Sequence, residues 1–173
     1  SYPENALASN VIGFYNFYDR SEGHGFFGLE EQYNSLLAGI KQRVVLPMNP
    51  SEIQELPAIP PGSSLILTID REIQAAMERI ANKAVNETGS ESATIFVMDP
   101  KTGEIMAMAT TPGFNPNEYW TYKEIFPDNS PYDRAIGVLY EPGSVFKVLT
   151  MAAALDAGAV TPDTEFIDTG SIE

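Results

Sequence analysis

The segment ATIFVMDPKTGEIMAMA, residues 93–109, contains the main sequence evidence for the fold. Its two halves are apolar and β-prone, and the segment between them contains Pro100 and Gly103, which are typical of turns. Because each half is apolar at consecutive positions and not only at alternate ones, the pattern predicts a β-hairpin that is buried on both faces.

A helix is predicted on each side of this hairpin. Before it, apolar residues recur at spacings of four, three and four, at Ile73, Met77, Ile80 and Ala84. Asp70 stands in the N-cap position of that helix, and Gly89 ends it. After the hairpin, residues 144–157 have a helical pattern that is apolar almost all round, which predicts a helix at the centre of a domain. The predicted fold class is therefore α+β, an antiparallel sheet with helices packed against it.

Composition excludes several classes of protein. The chain has 173 residues, a formal net charge of −14 and 43% hydrophobic residues, so a packed core is expected and a nucleic-acid binder is not. It has no cysteine and one histidine, which leaves no thiolate ligands and few imidazole ligands for a metal. No charge-free stretch approaches the roughly 20 apolar residues of a membrane helix. The first residues do not resemble a signal peptide, and we expect the chain to be a piece of a longer one.

A proline-rich connector predicts the domain organisation. Residues 47–61 contain five prolines, which exclude a continuous helix or a central strand. We expect a small module at residues 1–62, including a short helix over residues 29–40, and the start of a second domain at residues 63–173.

The segment most suited to chemistry is Ser144-x-x-Lys147. Pro142 and Gly143 bend the chain into the predicted helix, so the Ser144 hydroxyl lies at its positive end. Lys147 follows three residues later on the same face, and burial in an apolar helix favours the neutral amine that can accept the serine proton. The four letters alone favour a different interpretation, a serine that caps the helix and a lysine that extends into solvent; a lysine within an otherwise apolar helix favours the catalytic one.

The residues around this serine resemble the active-serine region of the class B penicillin-binding proteins. The resemblance is carried by residues 140–147, by Asp133-Arg134-Ala135 before them, and by residues 67–74 and 99–108. Residues 2–3, 11–13 and 28–34 are similar to the family's linker module on the membrane side of the transpeptidase domain.

The resemblance implies a D,D-transpeptidase of bacterial peptidoglycan synthesis, with Ser144 as the nucleophile and Lys147 as its base. The implied substrates are stem peptides ending in D-Ala-D-Ala, and β-lactams would acylate the same serine; no metal or organic cofactor is implied. The implied place is the extracytoplasmic face of the cytoplasmic membrane, with an N-terminal anchor that this chain lacks and other cell-wall synthesis proteins as partners.

The chain departs from the family pattern after the serine. The family's Ser-x-Asn and Lys-Thr/Ser-Gly motifs are expected after the nucleophile, but no Asn follows Asn129 and no Lys follows Lys147. Lys101-Thr102-Gly103 precedes the serine and is interpreted as turn residues. We therefore expect the chain alone to be weakly active or inactive, with exposed apolar surface that favours self-association.

Two other functions remain open. One is a β-lactam sensor or β-lactamase with the same serine and lysine, against which the similarity of residues 1–40 to the linker module argues. The other is a non-catalytic interaction module of a cell-wall synthase. A dinucleotide site at residues 23–28, which match G-x-G-x-x-G, is not expected because no clear strand precedes them and a proline-rich connector replaces the usual continuation. His24 is interpreted as a surface or packing residue.

Overall fold

The structure is a computed structural model that describes residues 1–19, 22–40, 60–126, 132–168 and 170. Most of the proline-rich connector therefore lies outside the described residues. The chain forms two compact units, Ser1–Val138 and Leu139–Glu173. Small antiparallel sheets with helices confirm the predicted α+β class.

The predicted hairpin is present. β3 (Ala93–Met98) pairs antiparallel with β4 (Ile105–Thr111). The turn between them is closed by hydrogen bonds from Asp99 N–H to the Glu104 carbonyl and from Gly103 N–H to the Asp99 carbonyl, and Gly103 has φ +78°. The predicted burial of both faces is wrong for β3, whose residues alternate between half-buried and exposed, whereas the middle and end of β4 are buried.

The predicted helix before the hairpin is α4 (Arg71–Thr88). The Asp70 carboxylate accepts from the N–H groups of Glu72 and Ile73, and Gly89 ends the helix in the left-handed conformation, as predicted. The predicted face is only partly buried: Ile73, Met77 and Ala84 are half-buried. Gln74 and Ala81 are the buried residues of α4, while Ile80 is half exposed.

The N-terminal part contains a second hairpin flanked by short helices. In chain order these elements are α1 (Ser9–Ile12), β1 (Phe14–Asp19), β2 (Glu22–Phe26), α2 (Gly28–Gln32) and α3 (Asn34–Leu37). β1 and β2 pair antiparallel. The single helix predicted over residues 29–40 is thus two short helices, because the chain leaves the helical conformation at Tyr33.

An aromatic core joins this N-terminal part to the loop that follows β4. Phe14 and Phe114 are 3% and 2% exposed, and their rings meet edge to face with centroids 6.1 Å apart. Tyr119 stacks on Phe14, with centroids 5.0 Å apart. The loop carries a 3-10 helix, Pro116–Thr121, and α5 (Tyr122–Ile125). The core of the first unit therefore includes residues from both sides of the boundary predicted at residue 62.

Polar contacts reinforce the same junction. Tyr2 N–H donates to the Asn117 side-chain oxygen at 2.8 Å, and the Asn117 amide donates back to the Tyr2 carbonyl at 2.7 Å. The Glu78 carboxylate of α4 accepts from Ala8 N–H at 2.8 Å, and Arg71 forms an exposed two-point ion pair with Glu4. These bonds fix the start of the chain against α4 and the loop after β4.

The second unit is built on one helix. A 3-10 turn, Gly143–Phe146, leads into α7 (Lys147–Asp156). Across the described ranges, no helix is both long and apolar enough to cross a membrane.

Candidate functional site

The chain enters the candidate site through a glycine turn. Gly143 has φ +55°, a conformation that residues with a side chain adopt with difficulty, and a Cβ there would meet no atom within 4 Å. The glycine is therefore needed for the backbone direction and not for space. It turns the chain so that Ser144 lies in the 3-10 helix that precedes α7.

Ser144 and Lys147 are one 3-10 turn apart. The Lys147 backbone N–H donates to the Ser144 carbonyl, which closes that turn. A 3-10 helix has three residues per turn, so side chains at positions i and i+3 eclipse one another. The turn therefore places the Ser144 hydroxyl and the Lys147 side chain on the same line of the helix surface, as their spacing predicts.

Two expectations for this segment are not met. Ser144 and Lys147 are exposed, and no hydrogen bond joins their side chains. α7 has no buried residue; Val148 and Leu149, for example, are 70% and 61% exposed. The prediction of a helix at the centre of a domain is thus wrong for the described structure. A helix that is apolar on all sides is buried only when other elements pack against several of its faces. The described part of the second unit has one α-helix, so such elements are missing there.

The capping alternative is not supported either. The first turn has no side-chain cap bond, so Ser144 does not act as an N-cap.

A buried carboxyl group lies a short distance before the serine segment in the sequence. Asp133 is 3% exposed, and its Oδ1 accepts from the Thr110 hydroxyl and from Ala135 N–H, each at 2.9 Å. It caps α6 (Arg134–Gly137) and ties that helix to β4. Oδ2 is buried with no hydrogen-bond partner, and burial raises the pKa of the carboxyl group. The sequence resemblance drew attention to Asp133, but its partner Thr110 is distant in the chain, so spacing could not reveal the contact.

The remaining candidates have structural surroundings. His24 is exposed on β2, and its ring meets Phe26 edge to face with centroids 5.4 Å apart. Lys101-Thr102-Gly103 lies in the turn between β3 and β4, where the Thr102 hydroxyl accepts from Glu104 N–H. Within the described ranges, no cluster of three or more His, Cys, Asp or Glu side chains could hold a metal ion.

A Ser-x-x-Lys helix start that follows an α+β hairpin unit is typical of serine acyl-enzymes that react with β-lactams. Residues 93–172 match the family model described as the penicillin binding protein transpeptidase domain. This part of the chain therefore belongs to the transpeptidase domain of penicillin-binding proteins.

Similarity to individual proteins extends over nearly the whole chain. The penicillin-binding protein PbpB of Mycobacterium tuberculosis is 30% identical over 99% of this chain and 25% of its own length. Stage V sporulation protein D of Bacillus subtilis is 33% identical over 99% of this chain and 27% of its own length. The chain therefore spans about a quarter of these relatives.

Solved structures show the same fold. The crystal structure of penicillin binding protein 3 from Mycobacterium tuberculosis is 30% identical with a TM-score of 0.75, and the similarity covers 96% of this chain and 33% of that one. The same protein has been solved in complex with ampicillin. Penicillin binding protein 2X from Streptococcus thermophilus is 25% identical with a TM-score of 0.74, covering 99% of this chain and 27% of that one.

Proposed function

We propose that this chain supplies the nucleophile-bearing part of a D,D-transpeptidase that cross-links bacterial peptidoglycan through a serine acyl-enzyme. The observation that carries the proposal is the 3-10 turn that closes from Lys147 N–H to the Ser144 carbonyl. It sets a hydroxyl and an amine on one line of the helix surface, which is the first requirement of a serine nucleophile and its general base; the second, a hydrogen bond between the two side chains, is not made here.

In the proposed reaction, the neutral Lys147 amine takes the proton of the Ser144 hydroxyl as the oxygen attacks the carbonyl of the penultimate D-Ala. When the tetrahedral intermediate collapses, the nitrogen of the terminal D-Ala takes up the proton from Lys147, and D-Ala leaves as a free amine. The amine of a neighbouring stem peptide then attacks the ester, which releases Ser144 and forms the cross-link. The Ser144 backbone N–H is the proposed donor of one hydrogen bond to the oxyanion.

The described residues do not provide the dry environment that the proposed base requires. A general base acts within hydrogen-bond reach of its nucleophile and in a site from which bulk water is excluded. Lys147 is exposed here, and the adjoining apolar residues of α7 are exposed as well. We therefore propose that the active base forms only when further polypeptide or substrate covers this helix surface, and that the chain alone reacts poorly.

Substrates and location are part of the proposal. Relatives named peptidoglycan D,D-transpeptidase support a stem-peptide substrate, and the ampicillin complex of a structural relative supports acylation of Ser144 by β-lactams. This chemistry takes place outside the cytoplasm, so we propose the extracytoplasmic face of the bacterial membrane as the site of action. We also propose other cell-wall synthesis proteins as partners.

The test is D-Ala release from a synthetic stem peptide, with an acceptor amine present. The assay uses a protein of the relatives' length that contains this sequence, and its Ser144→Ala variant. We expect release with formation of the new amide, and loss of both with the variant. Release that persists in the variant would exclude Ser144 as the nucleophile. Release to water alone, without the new amide, would indicate a carboxypeptidase or β-lactamase-like activity in place of cross-linking.

A further inference from the structure

A cavity of about 570 Å³ opens in the N-terminal part of the first unit. Its walls include three aromatic side chains, Tyr2, Tyr15 and Phe17, together with the carboxylate of Glu30. The rings of Tyr15 and Phe17 are nearly perpendicular, at 88°, with centroids 5.7 Å apart. The cavity thus combines aromatic surface with one acidic group.

Two glycines of the G-x-G-x-x-G stretch build this cavity. A Cβ at Gly23 would overlap the ring and hydroxyl of Tyr15, so the absence of a side chain lets the Tyr15 ring lie across β2. A Cβ at Gly25 would overlap the backbone carbonyl of Glu30, so this glycine lets α2 approach the hairpin closely. The stretch that resembles a phosphate-binding loop therefore serves to place an aromatic wall and a carboxylate.

The acidic group is held in place by a hydrogen bond, and no described cation forms an ion pair with it. The Tyr2 hydroxyl donates to Glu30 Oε1 at 3.1 Å and accepts from Tyr15 N–H at 2.7 Å, which fixes the direction of its proton. Glu30 forms no ion pair with any residue of the described ranges, and the ion pairs of Arg71 are with Glu4 and Glu72. Burial, and next to it the charge of Glu30, raises the pKa of the Tyr2 hydroxyl, so this group stays a hydrogen-bond donor.

We propose that the cavity receives one basic side chain, a guanidinium or an ammonium group, presented by a polypeptide. A carboxylate pairs with such a cation, and aromatic faces attract it within about 6 Å of the ring centre. An anion would be repelled by Glu30 in a chain of net charge −14, and a wholly apolar ligand would desolvate the carboxylate and leave it with the Tyr2 hydroxyl but no cation. Ser1 lines the same cavity, and its amino group is a competing cation in the 173-residue chain used in the test below. This proposal does not depend on the acyl-transfer reaction.

The test is a titration of the 173-residue chain, followed by NMR through the signals of Tyr15 and Phe17. The Ser1 amino group is acetylated to remove the competing charge. The probes are a blocked tripeptide with a central arginine, the same peptide with the neutral isostere citrulline, and the free guanidinium ion. The Glu30→Gln variant removes the acidic group, and Glu124→Gln, in α5, removes the same charge outside the cavity.

We expect saturable binding of the arginine peptide, at least tenfold weaker with citrulline or with Glu30→Gln, and unchanged with Glu124→Gln. Binding should weaken when Ser1 is not acetylated. Equal binding of the arginine and citrulline peptides, no saturable shift with any probe, or an unchanged affinity in Glu30→Gln would overturn the proposal. If the free guanidinium ion binds as tightly as the peptide, the proposal that a polypeptide presents the basic group is overturned. If the spectrum of a variant is that of an unfolded chain, Tyr15→Leu is used in its place. This substitution removes the aromatic wall but keeps an apolar side chain, and it must lower the affinity for the arginine peptide.

Discussion

Gln74 and Met108 are joined by a reciprocal pair of hydrogen bonds. The Gln74 side-chain amide donates to the Met108 carbonyl at 3.1 Å, and its oxygen accepts from Met108 N–H at 2.8 Å. Gln74 is 1% exposed, so the pair lies in the interior between α4 and β4. It supplies the backbone of a buried strand with the partners that a neighbouring strand would otherwise provide.

Replacement of this amide should destabilise the first unit. Gln74→Leu leaves the Met108 N–H and carbonyl groups buried without partners, and we expect a loss of about 1–3 kcal/mol in the free energy of unfolding. The measurement is urea unfolding of the 173-residue chain. The matched control is Asn86→Leu, which replaces an exposed amide on the same helix and should change stability by less than about 0.5 kcal/mol. Equal effects of the two variants would contradict the role of the pair.

The aromatic core predicts that the N-terminal part and the loop after β4 unfold together. Phe14→Ala and Phe114→Ala should each lower stability by about 3–5 kcal/mol, because both side chains are buried in one cluster. Phe17→Ala, whose side chain is 63% exposed, is the control and should cost far less. The readout is a single unfolding transition followed by both tyrosine fluorescence and circular dichroism. Two transitions, of which each variant shifts only one, would instead support separately folding modules on the two sides of residue 62.

Asp133 predicts a pH dependence of stability. Burial raises the pKa of this carboxyl group in the folded protein above its value of about 3.9 in an unfolded chain. Its contribution to stability is therefore fully present below pH 3.9 and is lost as the pH rises through the folded pKa. Asp133→Asn does not titrate and keeps an oxygen that can cap α6, so its stability relative to the native chain should increase from pH 4 to pH 7.

The measurement for Asp133 is urea unfolding of both proteins at several pH values. Asp133→Ala is the comparison, because it removes the cap at every pH and should cost about 1 kcal/mol. A difference between the native chain and Asp133→Asn that stays constant from pH 4 to pH 7 would contradict the buried, raised-pKa carboxyl.

Substitution of Lys147 should lower reactivity with penicillin and leave the protein folded. Lys147→Gln removes the proposed base, and we expect the rate of acylation by penicillin to fall by about 10²–10⁴-fold in a protein of the relatives' length. Lys123→Gln, which removes the same charge from an exposed position in α5, should leave the rate unchanged. A similar fall in both variants would indicate an effect of net charge and not of a base.

Local chemistry made some of these elements predictable from sequence. The Asp70 cap, the Gly89 terminus and the turn before Gly103 each depend on residues a few positions apart, so the pattern contains the cause. The face of α4 was harder to predict. Gln74 is buried because Met108, far along the chain, satisfies its amide, and a scale that ranks residues by polarity places it outside.

The candidate site divides in the same way. The spacing of Ser144 and Lys147 predicts their alignment, which the 3-10 turn provides. The exposure of both side chains could not be predicted from the apolar pattern of α7. Such a pattern indicates that a helix needs to be covered, but not which polypeptide covers it.

Peptide mass spectrometry after reaction with penicillin shows whether Ser144 is the acylated residue. A protein of the relatives' length that contains this sequence is treated with penicillin, digested and mapped, beside its Ser144→Ala variant. We expect the mass of the opened β-lactam on the peptide that contains Ser144, and its loss in the variant. A label on another residue, or labelling that survives Ser144→Ala, would contradict the proposed role of Ser144 as the nucleophile.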